Sequence, residues 1–346
     1  MTTSARKAIL RLLAILAILA SLAGAWWLYQ QLQNRRIPIL MYHRIGDEGN
    51  SVWWVHVADF DNQLKFLKAN GYESILPSDL VAHRRWGKPL PEKPVIFTFD
   101  DGYLNSLQNA EPLLKKYGFR GVVYLVTGKI AENISERGEI DGTPVLTWPE
   151  VREMYLRGTL TFGGHSRSHT KLLLLQDPYW EIRGSYTDIE KKAGFKPEGF
   201  CYPNGHYEGK ILPAVKRAGF TTALSCNNGL FETGNPVSLY KLPRLAVYGG
   251  DHVYHVERLP IIGNTSSISL KVWKDGANVP SFPKLSIPGM EHSEGWKDPV
   301  SISTNPVVLT WDIPRDKLRT PLSFELWGDC KLLPHWRQSI SITNNL

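Results

Sequence analysis

Between residues 37 and 256, short apolar runs alternate with amphipathic stretches, and this repeat constrains the fold more than any other feature of the chain. Residues 37–42 (IPILMY) read as a strand, and 58–70 as a helix with Phe60, Leu64 and Leu67 on one face. Residues 95–99 form a strand entered through Pro89, Pro91 and Pro94, and 104–117 a helix stopped by Gly118. The unbroken apolar run 121–126 is what a strand buried on both faces requires. Thr147 and Glu150 have capping-box spacing and open a helix that runs to Arg157. Strands over 160–162, 199–202, 221–225 and 240–247, with helices over 179–193 and 209–218, complete the set. Such β–α alternation predicts an α/β fold, a parallel sheet that is open or closed into a (β/α) barrel.

The texture changes on both sides of this block. After about residue 258, strand-like runs at 266–273, 307–311, 322–327 and 339–343 are joined by polar connections without a helical period. This predicts an appended all-β module over 258–346, carrying five of the twelve Trp. Those indoles could stack on sugar faces or fill a small core. At the other end, residues 12–28 are almost purely apolar and follow Arg6, Lys7 and Arg11. Trp26, Trp27 and Tyr29 close the run as an interfacial belt, and Arg35 and Arg36 come next. Ala23-Gly24-Ala25 is an acceptable cleavage site, but the bulky aromatics after it favour an uncleaved membrane anchor over 1–36. Either reading places both the 37–257 block and the 258–346 module outside the cytoplasm.

Composition narrows the function classes. Forty Lys and Arg against 33 Asp and Glu give a formal charge of +7, which suits anionic surfaces. No basic cluster is interleaved with aromatics, so nucleic acid is not an expected partner. Three Cys, at 201, 226 and 330, exclude a disulfide-dense scaffold, and without CxxC spacing they do not predict a thiolate zinc site.

Three polar clusters succeed predicted strands. In Thr98-Phe99-Asp100-Asp101-Gly102, two adjacent carboxylates at a strand end project into the mouth where α/β active sites form; alone, the same residues also suit a turn with one Asp capping a helix. In His165-Ser-Arg-Ser-His169, two histidines four apart would share one face of a helical turn. Two imidazoles and one carboxylate make a three-ligand set that leaves a coordination position open, as catalytic zinc sites do. In Tyr202-Pro203-Asn204-Gly205, the Pro and Asn-Gly predict a tight turn able to aim a backbone N–H outward.

These motifs together resemble the polysaccharide deacetylase family, the NodB-homology domain of carbohydrate esterase family 4, over about residues 37–256. TFDDG and HSxxH, in this order and about 65 residues apart, carry the resemblance. It implies a NodB-type (β/α) barrel, with Asp100 as catalytic base and Asp101, His165 and His169 as ligands of one divalent metal, Zn²⁺ by donor chemistry, with Co²⁺ or Ni²⁺ acceptable. It also places Tyr202, Pro203 and Asn204 at the substrate and oxyanion position, through the Asn204 N–H. The motif order resembles the branch that acts on poly-N-acetylglucosamine, in which the segment written here Leu40-Met-Tyr-His43 supplies the general acid, His43. One departure stands out. Many members carry a base-orienting Arg in the third motif, where this chain has Cys201; Arg244, at another predicted strand end, is the expected substitute. No counterpart of the family's hydrophobic fourth motif is evident.

The implied activity is hydrolysis of N-acetyl groups on an N-acetylglucosamine-containing polysaccharide. Two rivals come from the residues themselves. A glycosidase needs carboxylates about 5–9 Å apart across a glycosidic bond, which adjacent residues supply poorly, and it leaves the histidines unexplained. A catalytically silent sugar-binding or matrix protein on the same fold is the alternative from another class.

Overall fold

The computed structural model describes Ser21, residues 35–249 except 50 and 235–237, and, beyond residue 254, the backbone of eight strands. Seven strands build the central element: β1 (Ile39–Tyr42), β2 (Pro94–Phe99), β3 (Gly121–Leu125), β4 (Leu160–Gly164), β5 (Phe200–Cys201), β6 (Ala223–Asn228) and β7 (Leu242–Ala246). Each pairs in parallel with the next in sequence. β7 returns to β1, with Leu245 opposite Leu40, so the ring closes. The expected alternation is therefore a closed seven-stranded parallel barrel.

The helices lie between successive strands of the chain: α1 (Val57–Ala69), α2 (Pro77–Trp86), α3 (Glu111–Tyr117), α4 (Trp148–Arg157), α5 (Tyr179–Asp188) and α6 (Ile211–Ala218). α3 is entered through a π-helical turn, Ser106–Ala110, and α5 runs on into another, Ile189–Ala193. Glu150 accepts from the Thr147 N–H at 2.8 Å, which is the predicted capping box at the start of α4. α2 has no sequence signature of comparable strength. It buries only Pro77, Leu80 and Val81, too narrow a stripe to mark a helical period.

Side chains alternate between the two faces of each strand. One set, Ile39, Ile96, Val122, Tyr124, Cys201, Leu224 and Leu242, packs together inside the ring. The other, including Leu40, Tyr42, Phe97, Phe99, Val123 and Leu125, packs outward with Phe60, Leu64, Leu114 and Met154 of the helices. The barrel is narrow, and Tyr124 fills part of it only because β4 presents Gly163; a Cβ there would sit 2.3 Å from the Tyr124 ring. Moving two residues at a time along the inward rows leads from Ile39 to Met41 and His43, from Ile96 to Thr98 and Asp100, and from Leu242 to Arg244. The pleat thus carries these three polar side chains to the C-terminal mouth.

Beyond the barrel, His255–Arg258 pairs with Ser267–Trp273, which pairs with Val307–Asp312, and that strand with Ser301–Thr304. A second sheet orders Trp296–Lys297, Lys284–Ser286, Leu322–Trp327 and Gln338–Ile342. All these pairings are antiparallel. The first of these strands begins at His255, ahead of the change in texture near residue 258. The side chains of the module's five Trp lie outside the described residues, as does the proposed anchor apart from Ser21, Arg35 and Arg36. Among the described residues, no helix is long and apolar enough to cross a membrane.

Candidate active site

At the C-terminal mouth of the barrel a cavity of about 570 Å³ is lined by His43, Asp100, Asp101, His165, His169 and Arg244, among others. Eight of the nine residues singled out in the sequence thus meet there, six of them from β7 or from the turns that follow β1, β2 and β4. Tyr202 and Asn204 also line it, whereas Pro203 is buried and does not. The Tyr202 hydroxyl donates to the Tyr240 carbonyl at 3.0 Å. Asn204 is exposed and left-handed at φ 57°, so the turn expected from Pro-Asn-Gly is present at the rim.

The two adjacent aspartates are separated into different environments. Asp100 continues the strand direction, its N–H bonded to the Tyr42 carbonyl at 2.9 Å. Asp101 turns to φ 70° and points its carboxylate elsewhere. Asp100 is gripped by Arg244, whose Nη1 and Nη2 donate to Oδ1 and Oδ2 at 2.7 and 2.8 Å. Arg244 is itself fully buried and fixed by the Ser225 carbonyl at 2.8 Å and the Thr98 hydroxyl at 3.2 Å. The Cys201 thiol lies 3.6 Å from both Asp100 oxygens and 3.1 Å from Arg244 Nη2. A small thiol at 201 leaves room for a guanidinium arriving from β7 instead of β5. Burial pushes the Asp100 carboxyl up, but the adjoining guanidinium, with His165 and His43, outweighs it and holds the group well below the usual carboxylate range. Asp100 is therefore an ionised carboxylate.

Asp101 Oδ1 faces His165 Nε2 and His169 Nε2, each at 3.5 Å. It is buried and has no hydrogen-bond partner. Bonds of about 2.0–2.1 Å in tetrahedral directions place neighbouring ligand atoms roughly 3.3–3.4 Å apart. An orphaned carboxylate oxygen at nearly that distance from two imidazole nitrogens fits a divalent metal. The other ring nitrogen agrees: His165 Nδ1 donates to the Cys201 carbonyl at 2.8 Å, which leaves Nε2 as the lone-pair nitrogen facing Asp101. Burial also pushes the His165 pKa down, against the pull of both aspartates, and the neutral form is the one that ligates.

The histidine pair differs from the helical turn expected of i, i+4 spacing. Residues 165–170 are irregular, with left-handed backbone at Ser166 and His169. Ser166 Oγ accepts from the His169 N–H at 3.0 Å and folds the loop back, bringing the two rings to 4.8 Å. Neighbouring contacts compete with helix formation. Thr127 and Gly128 donate to the Ser166 and Arg167 carbonyls. Glu181 of α5 accepts from the N–H groups of Arg167 and Ser168, both at 2.9 Å. Arg167 pairs bidentately with Asp188 at 2.9 and 2.7 Å.

His43 packs against the Trp53 ring at 4.4 Å, and Trp53 against Tyr248 at 5.1 Å. Burial lowers the His43 pKa; Asp100 and Asp101 oppose this, and Arg244 and Arg44 add to it. Trp53, Tyr248, Arg44, Tyr103 and Asp141 also line the cavity, and sequence reasoning singled out none of them. Arg44 lies in a two-residue strand, Arg44–Ile45, and the others sit at or beside connections, lengths too short for a periodicity to mark them. Only Arg44 and Tyr103 had a usable signal, each lying next to a motif.

Residues 87–223 match the family model for polysaccharide deacetylase. The chain is 29% identical over 217 residues to the putative polysaccharide deacetylase YxkH of Bacillus subtilis, covering 62% of this chain and 72% of that protein. It is 24% identical over 248 residues to the poly-beta-1,6-N-acetyl-D-glucosamine N-deacetylase of Escherichia coli K12, covering 60% of this chain but only 36% of that enzyme. Among solved structures, BC0361, a polysaccharide deacetylase from Bacillus cereus, matches with TM-score 0.54 and 27% identity over 63% of this chain and 67% of its own. The closed barrel, the divided aspartate pair and these matches agree, and the barrel is a polysaccharide deacetylase domain of the NodB, carbohydrate esterase 4 type.

Proposed function

We propose that this protein is a metal-dependent N-deacetylase of an N-acetylglucosamine-containing polysaccharide, with poly-β-1,6-N-acetylglucosamine as the favoured substrate. The observation that carries the reading is the division of labour between the aspartates: Asp100 saturated by Arg244, Asp101 turned with a free oxygen towards two imidazoles. The Escherichia coli relative, named for action on that glycan, supports the substrate.

Asp101, His165 and His169 would hold the metal, Zn²⁺ by donor chemistry. When bound, a divalent ion supplies Lewis-acid polarisation of the acetamide carbonyl. Asp100, ionised and locked in orientation, takes a proton from the attacking water as the C–O bond forms. The Asn204 N–H donates to the developing oxyanion. His43, in its protonated form, gives a proton to the amine nitrogen as the C–N bond breaks. Acetate and a glucosamine unit are the products. The apolar run at 12–28, with its basic flanks, supports an exported enzyme held at the membrane.

Acetate release from a panel of N-acetylated glycans tests the reading. The expected result is turnover of β-1,6-linked oligomers that stops on chelation. No acetate from any member, by metal-replete and folded protein, would refute it in favour of a binding protein.

A further inference from the structure

Two histidines of the cavity are held in different ways. His165 has its ring fixed by the bond from Nδ1 to the Cys201 carbonyl at 2.8 Å. His43 has no such tie: its Nδ1 is buried and without a hydrogen-bond partner. A general acid must nonetheless bring one nitrogen within about 2.6–3.2 Å of the leaving amine. With Nδ1 sealed in the wall, that nitrogen is Nε2, and the plane of the ring has to be set by packing.

The packing comes from Trp53, whose ring centre lies 4.4 Å from that of His43 at an interplanar angle of 47°. Trp53 is half-buried and braced on two sides. On one side its carbonyl accepts from the Arg44 N–H at 3.2 Å, and Trp54–Val55 pairs with Arg44–Ile45, the segment that directly follows His43. On the other, the Val52 carbonyl accepts from the Gly249 N–H at 2.7 Å, and the Tyr248 ring lies 5.1 Å from the indole. This approach leaves no room for a side chain at 249, where a Cβ would stand 2.2 Å from the Trp54 carbonyl oxygen. The segment 247–249 is in turn tied to β1, since the Val247 N–H donates to the Met41 carbonyl at 2.9 Å. Imidazole and indole thus stand on backbone segments that hydrogen bonds hold together.

We infer that Trp53 is a positioning residue for His43: its ring, braced by Tyr248, sets the plane of the imidazole and so aims Nε2 at the leaving amine. This rests on the reading of His43 as the general acid. Trp53 also lines the cavity, so stacking on a sugar ring is the competing role. The two roles act on different quantities. A positioning residue works through His43, so its loss falls on kcat of a reaction whose leaving group needs a proton. A stacking platform binds the glycan and appears in its KM, whether or not His43 is present.

The test compares kcat and KM of the metal-replete full chain on a β-1,6-linked N-acetylglucosamine oligomer and on an activated acetate ester. The proteins are wild type, Trp53→Leu, Trp53→Phe, His43→Ala and the double variant of His43→Ala with Trp53→Leu, with melting and metal content as reports of folding. Trp53→Leu should lower kcat on the amide about 10- to 100-fold at unchanged KM, since a misplacement of about 1 Å can cost about 100-fold. Its turnover of the ester should fall by less than about threefold, because that leaving group needs no proton. In the His43→Ala background the same substitution should cost less than about threefold, because residues that act as a unit do not add. Trp53→Phe keeps an aromatic face and should lie between wild type and Trp53→Leu; it carries the same comparison if leucine impairs folding. Equal losses on amide and ester, a raised KM at unchanged kcat, or an undiminished further loss in the His43→Ala background would each overturn the inference. Equal losses on both substrates in His43→Ala itself, or no amide turnover by the wild type, would instead overturn the reading beneath it, so the two failures are distinguishable.

Discussion

Replacing Arg244 by Met removes a guanidinium that is fully buried and makes two charge-assisted bonds to Asp100, at 2.7 and 2.8 Å. Met fills much of the space, so the dominant loss is electrostatic. Breaking one side of a buried pair strands the other charge, at a cost of about 3–5 kcal/mol. For a domain of this size 1 kcal/mol moves Tm by about 2–4 °C, so the melt at pH 7 should fall by about 6–20 °C. The pH dependence separates this from a packing defect. In the wild type, Asp100 titrates below its unfolded value, so the pair stabilises fully above the ordinary Asp pKa and is lost only as pH falls through the lower folded one. In Arg244→Met burial acts with far less opposition, and the Asp100 pKa should rise above the unfolded value. The stranded charge is then relieved as Asp100 takes up a proton. The gap in Tm between wild type and variant should therefore narrow from pH 7 to about pH 4.5. Melts of the chelator-stripped proteins at both pH values measure it. A shift under about 2 °C at pH 7, or a gap of equal size at both pH values, would refute the reasoning.

Asp100→Asn should abolish turnover and keep the metal, while Asp101→Asn, His165→Ala and His169→Ala should lose it; elemental analysis that finds the metal stripped by Asp100→Asn alone would reverse the aspartate roles. His43→Ala should lower kcat about 10²- to 10⁴-fold on an amide, much less on an activated ester, and leave metal content unchanged. Because the protonated imidazole donates, amide turnover should fall as pH rises through the His43 pKa, which burial places below the ordinary histidine value. A chain ended near residue 258 should keep activity on short oligosaccharides, since no proposed catalytic residue lies beyond Arg244; loss with circular dichroism and metal content intact would show that the β-rich region completes the site.

Much of the barrel was legible because its strands are buried on both faces and read as apolar runs ended by Gly or Pro, as in β3 and β2. The site was legible for a related reason. Polar residues at the end of such a run, such as Asp100 after Phe99 or Arg244 within β7, have the barrel mouth as the place where they can be satisfied. What escaped was geometry set by partners far away in sequence. The His165–His169 spacing suggested a helical turn, but Glu181 and Asp188 of α5, together with Thr127 and Gly128, impose a folded loop. The cavity walls from Trp53, Tyr248 and Asp141 come from connections with no period to read. Cys201 was visible as a departure from the family pattern, and the structure accounts for it: the guanidinium that meets Asp100 enters from β7.

The central claim is that Asp101, His165 and His169 hold one divalent ion that hydrolysis of an N-acetyl group requires. Its most direct measurement is acetate release from a β-1,6-linked N-acetylglucosamine oligomer by chelator-stripped protein titrated with Zn²⁺. The account predicts no release at the start, a rise that saturates near one equivalent, and no response in His165→Ala. Undiminished acetate release by stripped protein with no detectable metal, or equal restoration in His165→Ala, would contradict it.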